Sequence, residues 1–378
     1  MSAAPRIKGW CPGAHHPMAS GDGLVVRVRP FLSDLRADQV LALCALAERY
    51  GNGTLDLTSR ANLQIRGVAD ADHAALLEAL DELGLIDADP AIEGRRNILV
   101  PHDWVAGDLA HRLYRALLRT LPRLPELPQK MGFALDTGRE GCLGDASADF
   151  RFELTTDGTL LLRADGADAG RRVTEETAME TLASLAAWFV TTGGQTAGRM
   201  ARHLANTPLP ADWRQAMPRR PSAPALPGPV EGGVVLGVPF GQMRAAELAA
   251  LLETSGAPAV RLMPARRIFV PGGKAVAEAT GFVTAGDSAL LSVHACPGAP
   301  FCPQASVETR ELARRLASRL TQGQTLHVSG CAKGCAHPAA ADLTLVGRDG
   351  AFDLVQTGAP WEAPARRRLT QADLDTLL

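Results

Sequence analysis

Two cysteine pairs near the C-terminus restrict the fold more than any other feature. Cys296 and Cys302 are spaced C-x5-C, Cys331 and Cys335 are spaced C-x3-C, and the stretch between the pairs has the pattern of a helix. If both pairs serve one centre, the chain must bring the two loops together. Four thiolates so placed can each hold one iron of a [4Fe-4S] cubane. Pro303 stands where N1 of a helix would be, which puts Cys302 at an expected helix start, where free N–H groups and the helix dipole favour a thiolate. The second pair follows a short strand, Leu-His-Val-Ser, and lies in a loop. There Gly330 and Gly334 permit close approach of the backbone to a ligand, and Lys333 can offset negative charge.

Other uses of four cysteines fit less well. Structural zinc prefers two to four residues between paired ligands, which C-x5-C does not offer. A disulfide framework belongs to short secreted chains. This chain has 378 residues, and its N-terminus, MSAAPRIKGWCPGAHHP, has no apolar signal-peptide core; a cytoplasmic protein is expected. A formal net charge of −2 gives no support to a generic nucleic-acid or membrane-surface role. No apolar run reaches membrane-spanning length.

The segment 9–94 reads strand (LVVRVRPF), helix (about 36–50), strand (TLDLTSRANLQIRGV, broken or bulged near Ser59–Ala61), helix (about 71–83), an α+β unit. Cys44 fits the apolar side of the first helix. The segment 95–221 begins RRNILVPHDW and continues with a helix, DLAHRLYRALLRTL. It ends in a hairpin around Asp157–Gly158 and a long helix from 174 to 190. A Pro- and Gly-rich linker is expected at 222–230. The segment 231–285 then repeats the first, strand, helix, strand, with Arg60 and Arg266 one position out of register. A repeat at this spacing implies a pseudo-two-fold body, not a solenoid. The cysteine segment, 286–378, closes the chain with a helix.

The cysteine set behind a repeat resembles the sulfite and nitrite reductases, which carry a [4Fe-4S] cluster beside a sirohaem. Val26-Arg27-Val28-Arg29 resembles their LRCR-like strand, Thr58 to Gln64 their T-x-R-Q-x-x-Q motif, and Arg96-Asn97-Ile98 their R-N-V/I motif. Nearly the whole chain is covered. The resemblance implies an α+β fold of pseudo-two-fold repeated ferredoxin-like half-domains plus sirohaem-reductase-type α/β domains, one holding the cluster on Cys296, Cys302, Cys331 and Cys335.

Within the family, HVSGCAKGCAHP, Cys11-Pro12-Gly13 and VETRELA are similar to the branch that serves aerobic cobalamin synthesis. Its enzymes use O2 and reducing equivalents to hydroxylate precorrin-3A at C20, after which a ring acetate closes a γ-lactone. Sulfite reductases present a Lys-x-Lys pair to their anion; here Lys130-Met131-Gly132 keeps one lysine. A sirohaem-dependent sulfite or nitrite reductase is the alternative, and a non-catalytic zinc- or cluster-bearing binding module the outsider.

Sirohaem and precorrins are both edged with carboxylates, which arginine matches in a bidentate way. The resemblance makes Arg29, Arg60, Asn62, Gln64, Arg96, Asn97, Lys130 and Lys333 candidate substrate-binding residues. Arg27, Arg66, Arg95, Arg199 and Arg202 are further cations that could contribute. Each of these has an alternative use as a surface cation or in backbone satisfaction. A mononuclear non-haem iron would need His and carboxylate ligands. His15, His16, His102, His294 and His337 lie in the right segments without a two-His-one-carboxylate spacing. No G-x-G-x-x-G turn lies between a strand and a helix, so electrons are expected from an external NAD(P)H-linked reductase or ferredoxin.

Overall fold

The computed structural model describes residues 11–273 and 279–377; residues 9 and 10 of the first expected segment, and most of the N-terminal stretch weighed as a signal peptide, lie outside them. The first segment forms β1 (Met18–Ser20), β2 (Gly23–Val28), β3 (Asp34–Arg36), α1 (Ala37–Tyr50), β4 (Thr54–Leu57), β5 (Leu63–Val68), α2 (His73–Glu82) and α3 (Pro90–Arg95). The strand expected to break near Ser59–Ala61 is a hairpin. Thr58 N–H bonds to the Asn62 carbonyl at 2.8 Å, and Ala61 turns the chain with φ 51°. Val40, Leu43, Cys44 and Ala47 form the buried stripe of α1, so Cys44 is a packing residue, its thiol pushed up to about 12 by burial.

The second segment forms β6 (Ile98–Leu99), α4 (Leu109–Thr120), β7 (Phe133–Asp136), β8 (Phe150–Leu154), β9 (Leu160–Ala164), β10 (Arg171–Arg172), α5 (Glu175–Thr191), α6 (Gly194–Ala197) and α7 (Met200–Leu204). The β8–β9 hairpin turns at Gly158, φ 79°. The third segment forms β11 (Gly228–Val230), β12 (Gly233–Gly237), β13 (Gln242–Arg244), α8 (Ala245–Ser255), β14 (Ala259–Met263) and β15 (Arg267–Pro271). β11 thus lies within the expected linker and pairs with β12. The fourth forms β16 (Val293–Ala295), α9 (Arg310–Ala317), β17 (Leu326–Ser329), β18 (Ala341–Arg348), β19 (Ala351–Gly358), β20 (Arg366–Leu369) and α10 (Gln371–Leu377).

The repeats exchange strands. One sheet has the order β1-β2-β5-β4-β13 and the other β11-β12-β15-β14-β3. Met243 therefore faces Leu55 of the first repeat, and Leu35 faces Val260 of the second. Leu43, Leu55 and Ile65 share one continuous core with Leu236, Leu251 and Ile268. Each such side chain gains about 1.5–3 kcal/mol by leaving water.

The pseudosymmetry extends beyond the half-domains. β6, β7 and β8 run parallel with β9 and β10 antiparallel beyond them. β16, β17 and β18 run parallel with β19 and β20 antiparallel beyond them. Each α/β sheet thus follows a half-domain and has the same strand order.

Candidate active site

Both cysteine loops leave the carboxyl ends of the adjacent parallel strands β16 and β17, the edge where open α/β sheets bind ligands. The backbone N–H of Gly330 donates to Cys296 Sγ at 3.2 Å. Cys302 and Cys331 act electrostatically on Cys296, and these three act on Cys335, so the four sulfurs share one neighbourhood. Burial pushes the Cys296 and Cys335 thiols up, while Lys333 pulls Cys335 the other way. All seven cysteines are free thiols. The helix between the pairs differs from its expected position. It starts at Arg310, and Cys302 sits in a turn closed by its own N–H to Gly298 O at 2.8 Å. The intervening turns keep the helix dipole from acting on the Cys302 sulfur, because that field fades within one turn.

Among the described residues, no three His, Cys, Asp or Glu side chains stand close enough to share a single metal ion. A cubane asks less, since each thiolate meets a different iron. Of the histidines considered for a mononuclear iron, two meet and two lie apart with other partners. His15 Nε2 is bonded to the Asp87 carbonyl, His102 packs edge-on against Phe269, and His294 and His337 are stacked face to face at 4.0 Å.

A cavity of about 630 Å³ opens beside the cysteines, with Cys296, Cys302 and Cys335 in its wall. The charged groups in that wall are Arg27, Arg66, Arg266, Arg310, Lys130 and Lys333 against a single carboxylate, Asp56. Asp56 is taken by Arg66 at 3.3 Å and Arg310 at 3.1 Å. Arg27, Arg266, Lys130 and Lys333 have no carboxylate partner among the described residues. Arg27, Gln64 and Asp56 stand directly opposite one another on β2, β5 and β4, a polar row along the cavity wall. Arg27 is 9% exposed and its Nε has no partner. Burial and Arg29 push its guanidinium down to about 10, still charged at neutral pH. A second cavity, of about 860 Å³, lies between the 11–17 turn and α3, and Cys11 belongs to both walls.

Three residues expected to bind substrate are engaged within the protein. Glu93, itself buried, holds Arg29 at 3.0 Å and also pairs with Arg96. Arg29 Nε donates to Asn97 Oδ1, and its Nη2 to the Pro12 carbonyl at 3.4 Å. Arg29, Arg96 and Asn97 therefore secure the turn that carries Cys11. Arg60 donates to Ser147 Oγ at 3.3 Å, beside Arg199, which is paired with Asp149. Asn62 is 5% exposed with its Nδ2 unpartnered. Gln64, Lys130 and Lys333 lie in the cavity wall. Arg310 and Arg266, both in that wall, were not singled out from sequence as ligand-facing. Arg310 opens the helix of the VETRELA stretch, and Arg266 was visible only as a misaligned repeat position.

Residues 16–83 match the nitrite/sulfite reductase ferredoxin-like half domain. A precorrin-3B synthase of Sinorhizobium sp is 34% identical, over 95% of this chain and 84% of that protein. A ferredoxin–nitrite reductase of Synechococcus elongatus is 30% identical over 41% of this chain and 32% of its own length. The chloroplastic enzyme of Zea mays is 24% identical over 82% and 67%. The solved Mycobacterium tuberculosis NirA protein superposes with a TM-score of 0.65 at 19% identity, over 93% of this chain and 79% of that one, which establishes the shared fold.

Proposed function

The chain belongs to the precorrin-3B synthase family, a branch of the nitrite and sulfite reductases, and from that premise we propose that it converts precorrin-3A to precorrin-3B. In this reading C20 is hydroxylated with O2 and a ring acetate closes to a γ-lactone, as in aerobic cobalamin synthesis. One oxygen atom goes to C20 and the other leaves as water, with electrons drawn from an external ferredoxin or NAD(P)H-linked reductase. The observation that carries the reading is the pairing of four neighbouring thiols with a cavity wall of six cations and one carboxylate.

Cys296, Cys302, Cys331 and Cys335 would hold a [4Fe-4S] cluster. Their thiols, raised by burial at Cys296 and Cys335, give up protons on binding iron. When bound, the cluster supplies the one-electron transfers that O2 requires to react with a closed-shell macrocycle. Arg27, Lys130 and Lys333 would meet the acetates and propionates of the substrate. Gln64 would add a neutral hydrogen bond. Arg29, Arg96 and Asn97 would orient the Cys11 turn at the junction of the two cavities, and Arg60 and Asn62 would position the β4–β5 turn at the rim.

The test is an optical and EPR spectrum of anaerobically purified protein, with iron, sulfide and sirohaem counts, followed by turnover of precorrin-3A under oxygen-18. We expect a cluster without a haem-type spectrum, and label incorporated at C20. Tightly held stoichiometric sirohaem with nitrite or sulfite reduction would transfer the assignment to a sirohaem-dependent reductase.

A further inference from the structure

The turns β4–β5 and β14–β15 are equivalent, and the ladders fix how. Leu63 faces both Val28 and Leu57; Ile268 faces both Leu236 and Leu262. Arg60 therefore corresponds to Ala265, and Arg266 to Ala61. Ala61 and Arg266 share a left-handed backbone, φ 51° and 59°, a conformation unfavourable to a long side chain. The shift of one residue sends the two arginines to different places. Arg60 reaches Ser147, in the loop ahead of β8. Arg266 donates through Nη1 to the Val293 carbonyl at 2.7 Å and through Nη2 to the Leu291 carbonyl at 3.2 Å. These carbonyls lie at the start of β16, the strand that delivers Cys296.

Arg266 also lines the cavity that Cys296, Cys302 and Cys335 border. Its two acceptors are neutral carbonyls, and its charged neighbour Arg267 has the same sign. Burial and Arg267 push the guanidinium down to about 10, so it is protonated at neutral pH. In the first repeat the corresponding position is an alanine, and the α/β loops beside it, 100–108 and 137–149, hold Cys142 alone. The cation is present only in the half where the cysteine pairs lie.

We propose that Arg266 is a positioning residue for an iron–sulfur cluster on the four cysteines: it braces the strand that carries Cys296, and its uncompensated charge raises the cluster's reduction potential. This rests on the cluster assignment made above. An electron added to the cluster adds negative charge, and a fixed cation in a partly buried site stabilises the reduced form more than the oxidised one.

The experiment compares wild type, Arg266→Gln and Arg266→Lys, all purified anaerobically with the cluster loaded. Iron and sulfide are counted, and each protein is titrated with dithionite in the presence of mediators and followed by EPR. In Arg266→Gln with a full cluster the midpoint should move to more negative potential, while Arg266→Lys, which keeps the charge, stays nearer wild type. If Arg266→Gln emerges without iron and Arg266→Lys is loaded, the charge is required for retention, which also supports the proposal. An unchanged midpoint in fully loaded Arg266→Gln overturns it. Loss of iron from both variants with wild-type circular dichroism overturns the charge role as well. A wild-type protein without iron or sulfide would instead remove the cluster assignment itself.

Discussion

The N–H of Gly330 points at the sulfur of Cys296 from 3.2 Å away, so the loop that carries the second cysteine pair is fastened to the first pair by a backbone donor. A side chain at position 330 would disturb this. A Cβ there would stand 2.6 Å from Ala305 Cβ and 3.4 Å from Cys296 Sγ. Gly330→Ala should cost about 1–3 kcal/mol through overpacking and lower the iron retained per chain, read by iron analysis alongside thermal unfolding. Cys302→Ser and Cys331→Ser should lose the cluster absorption entirely; either variant with full iron and sulfide would end its claim as a ligand.

Glu93 is the shared partner of two buried arginines. Glu93→Gln leaves two cations without a counter-charge, a change that costs about 3–5 kcal/mol when one member of a buried ion pair is removed. Chemical denaturation should show that loss. A variant as stable as wild type would mean that the arginines find other partners.

Arg27 carries the opposite expectation. A buried cation without a carboxylate destabilises the empty protein and is useful only when an anion arrives. Arg27→Met should therefore raise the melting temperature of the ligand-free protein and weaken precorrin-3A binding by about tenfold or more, the scale of a hydrogen bond to a charged group. Calorimetry of the free protein and substrate titration give the two numbers. If the melting temperature falls and the affinity is unchanged, Arg27 supports the fold and nothing else.

His327 is fully buried with neither ring nitrogen bonded. Burial, aided by His337, pushes it down to about 4, below the ordinary value near 6.5. Between these values the unfolded chain binds a proton that the folded one refuses, so folding stability should fall as pH drops through that window. The full contribution is about 3 kcal/mol. His294 shifts in the same direction, so the measurement is a difference. Stability from pH 7 to 4 should fall less steeply in His327→Leu than in wild type, and parallel curves would contradict the assignment.

The cysteines and the repeat were readable because their signals are local. The C-x5-C and C-x3-C spacings each sit within one loop, and the half-domain pattern recurs with the same order of strand and helix. The single register problem, Arg60 against Arg266, was a property of the protein, since the two residues occupy neighbouring positions of equivalent turns. What the sequence concealed depends on distance. Glu93 sits in a six-residue helix and pairs with Arg29, 64 positions away, so the ion pairs that hold Arg29 and Arg96 could not be read from R-N-I. The equivalence of the two α/β sheets was hidden because the loops that would reveal it have different contents, cysteines in one and His102, Asp103 and Trp104 in the other. The start of α9 was misplaced because Pro303 is as compatible with a turn as with a first helical residue.

The exchange of β3 and β13 has a consequence for how the molecule is made. The outer edge of β4 meets its partner only when Met243 reaches Leu55, so for most of translation the emerging N-terminal sheet is one strand short. Such long-range pairing is slow to form, and an unfinished edge invites strangers. Neither repeat supplied separately has the means to complete its own sheet, and a chain cut in the 222–227 linker would have to reassemble as two interlocked pieces before any cofactor could be seated.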